Sequence, residues 1–214
     1  MKTINLLFFF TFFFVQANLI AQKNFEGIIK FKVELKDKTG EVSDQQMKEF
    51  IGDEQIYYLK KDKYKSVMNG LLRGTLFYNG NDTVYTKMNG TEALMYNLVT
   101  TSEDEKVISY EFKHTEEKVA GFECKLMLVK TNKTNYQYYY SDKVSINPEY
   151  YKNHHMNLWS FFMTKTNGGI SLKVISESEE FKSTMIAQSV KREEIDTVIF
   201  EKPKHLPIVK MPKD

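Results

Sequence analysis

Three features of the sequence predict a mainly β fold: a single curved antiparallel sheet or open half-barrel with one or two helices packed in its concave face. Apolar and polar residues alternate with period two in about a dozen segments, the mark of strands with one buried and one wet face. Three Asn-Gly pairs, Asn69-Gly70, Asn79-Gly80 and Asn89-Gly90, recur at regular spacing between those segments. Such pairs suit two-residue hairpin turns that need positive φ, so the strands they join are expected to form a meander. Finally, Pro148, Pro203, Pro207 and Pro212 all fall outside the main strand candidates, as a residue without an amide hydrogen must in a central strand.

In chain order, Lys2 precedes an apolar run over residues 6–15 that only Thr11 interrupts, and Leu19-Ile20-Ala21 follows. A charged start, a short apolar stretch and a small residue at its end read as a secretory signal peptide. The run is shorter than the ~20 apolar residues of a membrane-spanning helix. Cleavage after Ala21 is therefore expected. Residues 22–214 would then form a single exported β-rich domain, periplasmic or secreted. The absence of cysteine beside the cleavage site argues against a lipid anchor on the new N-terminus.

The first strand is the clearest. Phe25, Gly27, Ile29, Phe31, Val33 and Leu35 point one way, while Glu26, Lys30, Lys32 and Glu34 point the other. Further strand candidates are 55–59, 64–68, 71–78, 83–88, 93–99, 107–113, 119–129, 136–140, 170–175, 181–190 and 195–200. The proline-rich stretch 201–214 reads as an irregular tail that packs along the sheet. Two segments have helical spacing instead. Ser43 with Gln46 resembles a capping box, ahead of Met47, Phe50 and Ile51 and a closing Gly52. Asn147-Pro148 reads as an N-cap followed by a first-turn proline. Tyr151, His155, Leu158, Trp159 and Phe162 then share one face of a helix over 148–165, ended by Asn167-Gly168-Gly169. That much apolar helix surface must cover a sheet.

Composition sets the compartment and excludes some partners. Apolar residues make up 42% and charged residues 27%, with a net charge of +2. This is ordinary globular chemistry without the basic field that nucleic acid requires. Cys124 is the only cysteine, so no intramolecular disulfide forms and burial alone must hold the fold. Phe122, Leu126 and Leu128 on its side of a strand assign Cys124 to packing.

No catalytic constellation emerges. His154 and His155 look like a metal pair, yet adjacent helical positions diverge by roughly 100° and cannot face one ion. His155 on the apolar stripe reads as a core histidine. His114 and His205 lack a spaced partner. Glu103, Asp104 and Glu105, with Glu92, have no ligand repeat or turn glycine of a calcium loop. Cys124 with His114 would need a lowered thiol pKa, which apolar neighbours oppose. No phosphate-cradling loop, nucleophile elbow or zinc motif occurs. The chain is expected to be no enzyme and to use no metal or cofactor.

The strand opening Phe25-Glu26-Gly27-Ile28-Ile29-Lys30-Phe31, the segment Asp62-Lys63-Tyr64-Lys65, the stretch Val119-Ala120-Gly121-Phe122-Glu123-Cys124-Lys125 and the closing Phe200-Glu201-Lys202-Pro203 resemble uncharacterised exported proteins of Gram-negative bacteria. Their shape is similar to the periplasmic lipoprotein-carrier half-barrel, which holds acyl chains between sheet and helices. The resemblance implies no catalytic residues. It implies a lipid or other apolar ligand between the apolar strand face (Ile29, Phe31, Val33) and the aromatic helix (Leu158, Trp159, Phe162). The alternative is a structural or protein-interaction component of the cell envelope with a solid core. That component would use an edge strand or the tyrosines Tyr138, Tyr139 and Tyr140. Partners on either reading are an apolar small molecule or an envelope protein, with peripheral membrane contact but no nucleic acid.

Overall fold

The computed structural model describes residues 24–101 and 104–212. The predicted signal peptide, with Ser102 and Glu103 of the acidic run, lies outside the described residues. The chain runs β1 (Glu26–Asp37), α1 (Asp44–Ile51), β2 (Glu54–Lys60), β3 (Lys63–Met68), β4 (Gly74–Asn79), β5 (Thr83–Met88) and β6 (Leu94–Leu98). It continues through β7 (Val107–Lys113), β8 (Lys118–Val119), β9 (Phe122–Glu123), β10 (Lys125–Thr131) and β11 (Asn135–Ser145). The last elements are α2 (Trp159–Lys165), β12 (Gly169–Glu177), β13 (Phe181–Arg192) and β14 (Ile208–Lys210).

One curved sheet carries nearly all of this, in the order β14-β6-β5-β4-β3-β2-β1-β13-β12-β11-β10-β7, and it does not close into a barrel. The meander from β1 through β6 is antiparallel, as the alternation predicts. β13 then returns to pair with the free side of β1. Only β14, a short strand inside the proline-rich tail, runs parallel to its neighbour β6. Among the described residues, four register shifts interrupt the sheet, one in the β1–β13 pair, two in β11–β12 and one in β10–β7. The β1–β13 register shifts between Lys30 and Phe31, and the β11–β12 register between Tyr139 and Tyr140. An extra residue on one strand bends it and increases the twist, which curves the sheet here.

The burial of β1 follows its alternation: Gly27, Ile29, Phe31 and Val33 are buried, while Lys30, Lys32 and Glu34 are exposed. Its close approach to β13 needs Gly27, since a Cβ there would lie 2.0 Å from the Lys191 carbonyl oxygen. The first helix also forms as its sequence indicates. Ser43 Oγ accepts the Gln46 amide, the Gln46 side chain accepts the Ser43 amide, and Gly52 closes the helix at φ 96°.

Three local expectations are overturned. The Asn-Gly pairs do join successive strands, but through longer connections, because the register resumes at Val67 opposite Thr75 and at Tyr78 opposite Val84. A two-residue turn with both central residues at positive φ occurs instead at Ala120-Gly121, between β8 and β9 (φ 49° and 83°). That turn breaks the predicted strand 119–129 into three pieces. Residues 195–200 are not a strand. Asp196 accepts the Val198 amide and nucleates a 3₁₀ turn over Thr197–Phe200.

A fourth correction matters most for the site. The helix predicted over 148–165 is broken into a 3₁₀ turn Pro148–Tyr151, another at Met156–Leu158, and α2. Asn147 caps the first turn as its sequence suggests. Further on, the His155 amide bonds to the Val99 carbonyl at 2.7 Å instead of to a carbonyl one turn back. Asn157 and Leu158 then adopt left-handed conformations, φ 53° and 59°. The helical phase is lost between Tyr151 and Trp159. As a result His154 is buried, whereas His155 lies exposed with Nδ1 3.0 Å from Ser160 Oγ. α2 ends in a Schellman motif: Asn167 is left-handed, and the Gly168 amide reaches the Met163 carbonyl at 2.8 Å.

Candidate functional site

The broken helical segment lies over β2, β3, β4 and β11 and brings aromatic rings from five elements together. Tyr64 of β3 stacks on Tyr78 of β4 at 5.1 Å between ring centres and on Trp159 of α2 at 5.0 Å. Tyr151 packs on Trp159 at 5.0 Å and on Tyr78 at 5.9 Å. His154 meets the edge of Tyr78 at 4.7 Å, and Tyr57 of β2 completes the group beside Trp159. Offset and edge-on ring pairs of this kind add to the area they bury.

Two hydrogen bonds orient the cluster. The Tyr64 hydroxyl lies 3.0 Å from His154 Nε2, and the Tyr151 hydroxyl donates to the Lys61 carbonyl at 3.2 Å. Nδ1 of His154 has no partner among the described residues. Burial pushes the His154 pKa down to about 4, so the ring is neutral at ordinary pH. Burial also holds the Tyr64 and Tyr151 hydroxyls well above the usual tyrosine range and raises Tyr78 to about 12. The cluster is uncharged.

Beside it, between α2 and the sheet, runs an open groove with a volume of about 630 Å³. Ile29, Phe31 and Val33 line it from β1, and Trp159 and Phe162 from α2. Five of the six residues predicted from the sequence therefore meet at one groove. Leu158 is the exception. Its left-handed backbone turns it toward a second cluster built on Met127, Val129, Tyr138, Tyr140 and Phe162. Trp159 is only partly buried, because one side of the indole borders the groove. Sequence reasoning missed Met185 and Val174, which extend the floor past Val33, and Tyr57 and Met156, which form its walls. Register could have found Met185, since it lies opposite Val33 on the same face.

Tyr138, Tyr139 and Tyr140 form no exposed aromatic face. All three are buried, Tyr138 and Tyr140 with Phe162 on one side of the sheet and Tyr139 in the larger core. The exposed apolar edge is β7 instead, where Ile108, Tyr110 and Phe112 are 62%, 42% and 50% exposed. Cys124 is buried, its thiol facing the Phe122 carbonyl at 3.5 Å, and burial raises its pKa. Glu105 of the acidic run accepts hydrogen bonds from Thr131 and Tyr136, which fix it as part of a loop anchor. Among the described residues no three His, Cys, Asp or Glu side chains converge, and no helix is long and apolar enough to cross a membrane.

No family model and no curated protein matches the chain. It is similar to two solved structures of PNGF-II, described as in the C2 and P21 space groups, at 14% and 13% identity with TM-scores of 0.47 and 0.46. Each match covers 86% of this chain, which spans only 31% and 32% of those chains.

Proposed function

We propose that this is a non-catalytic exported binding protein that holds a lipid or other apolar ligand between its curved sheet and α2. One observation carries the reading: the open groove of about 630 Å³ lined chiefly by aliphatic, aromatic and methionine side chains. Its size falls within the roughly 300–1,000 Å³ of small-molecule sites. Each buried methylene contributes about 0.8 kcal/mol, so a chain of roughly eight carbons can reach micromolar affinity where association costs are small.

The test is titration of the purified protein with a fluorescent fatty-acid probe. Saturable uptake is expected, lost in Met185→Glu and retained in Cys124→Ser, with circular dichroism checking that each variant folds. A folded wild type that takes up no probe would overturn the reading. Export is part of the same proposal, and the intact mass of protein recovered from its native host should lack residues 1–21.

The exposed edge strand β7 favours a second reading, a protein-interaction component of the cell envelope. An edge strand, paired on one side only and carrying an apolar row, is a template for strand addition. A photocrosslinker placed at Phe112 in cells should then trap a defined partner, and Ile108→Lys should abolish the adduct.

A further inference from the structure

We propose that the groove selects single-chain amphiphiles with an anionic headgroup, and that Arg73 at its mouth reads that charge. The proposal rests on the apolar-ligand reading above and specifies the class of ligand. Among the described residues lining the groove, Arg73 is the one with a formal charge; aspartate, glutamate and lysine are absent from the lining. The ion pairs among the described residues all use lysine, which leaves the Arg73 guanidinium without a carboxylate.

The backbone that carries Arg73 is firmly held. The Leu71 and Leu72 amides bond to the Glu49 and Phe50 carbonyls of α1, and the Arg73 carbonyl accepts the Asn89 amide. Gly70 permits this contact, since a Cβ there would lie 2.1 Å from the Ile51 carbonyl carbon. The rim beside Arg73 is apolar: Leu71 and Leu72 are exposed, as is Phe50 of α1. A cation carried on a held backbone beside greasy side chains, with the apolar groove behind it, matches an amphiphile end for end. The chain enters the groove and the anion stays at the wet mouth, where a guanidinium can clasp it with two parallel hydrogen bonds. A cationic headgroup would meet like charge at the same place. The groove volume of about 630 Å³ suits one chain.

The test uses the purified protein and displacement of an uncharged naphthylamine dye by tetradecanoate and by the alcohol of equal chain length. Taking the ratio of the two dissociation constants, alcohol over carboxylate, cancels most of the chain's own contribution. That ratio should fall about fivefold in Arg73→Gln, the size of a favourable solvent-accessible ion pair. Arg73→Lys should keep most of the discrimination, and added salt should weaken it in the wild type. Arg73 is exposed, so the variants should fold and bind dye as the wild type does. If dye and both chains bind but the ratio is unchanged in Arg73→Gln, charge selection by Arg73 is wrong and the apolar-ligand reading survives. If the folded wild type binds neither dye nor chain, both proposals fall.

Discussion

The Tyr64 hydroxyl and His154 Nε2 lie 3.0 Å apart in the middle of the protein, with His154 fully buried. This contact joins strand β3 to the irregular segment ahead of α2 and forces a neutral imidazole into the aromatic cluster. The rings around it are Tyr64, Tyr78, Tyr151 and Trp159, and none supplies a charge that could stabilise an imidazolium.

Stability should therefore depend on pH through His154. Its folded pKa is about 4 against an ordinary 6.5. Between those values the unfolded chain binds a proton that the folded protein refuses. The contribution is complete above the unfolded pKa and declines as pH falls toward the folded one. From about pH 7 to about pH 5 the loss is on the order of 2 kcal/mol. Urea unfolding across that range should show it, and His154→Phe should remove this part of the slope.

Trp159 should matter for stability without being indispensable. It stacks on Tyr64 and Tyr151 but leaves part of its ring toward the groove. Emptying a core aromatic site costs about 3–5 kcal/mol, so Trp159→Ala should fall near the lower end, about 3 kcal/mol by denaturant unfolding. A loss under about 1 kcal/mol would mean that the stacking contributes little.

The sheet was legible because its evidence is local. Ile29, Phe31 and Val33 advertise a buried face by period alone, and Ser43 with Gln46 announces a helix start within four residues. The left-handed turn at Asn157 and Leu158 was not legible. The stripe from Tyr151 to Phe162 fits a helix well, and what defeats it is the Val99 carbonyl, distant in sequence, taking the His155 amide. The same long-range cause exchanges the roles of His154 and His155. The Asn-Gly pairs misled for a related reason. Asn69 uses its side chain to accept the Asp53 and Glu54 amides at 3.0 and 3.1 Å, tying its loop to the end of α1. Five of the six predicted residues still line the groove, and the three on β1 do so because the face of a strand survives errors in its turns.

Asn157 offers a direct check on that break. In a continuous helix, Asn157→Ala would gain about 0.5 kcal/mol, because alanine is the better helix former. At φ 53° the sign reverses. Asparagine tolerates the left-handed region, whereas alanine is penalised by about 1 kcal/mol or more. Denaturant unfolding of Asn157→Ala should show destabilisation, with Asn157→Gly staying close to wild type. Stabilisation by alanine would restore the unbroken helix.

Cys124 should behave as a core residue. Its side chain packs with Val119 and Tyr139 in the larger cluster, under the small β8–β9 hairpin. Desolvation raises its pKa, and the nearby Glu117 carboxylate adds to the effect. Reaction requires the thiolate and a path to it, and both are scarce here. Alkylation by iodoacetamide near neutral pH should accordingly be slow in the native protein and rapid in denaturant. Its native rate should follow the opening of the hairpin, so Gly121→Val, which forces a β-branched residue to φ 83° in that turn, should accelerate it. Labelling of the folded wild type as fast as in denaturant would place the thiol in an open, activated setting and revive it as a candidate nucleophile.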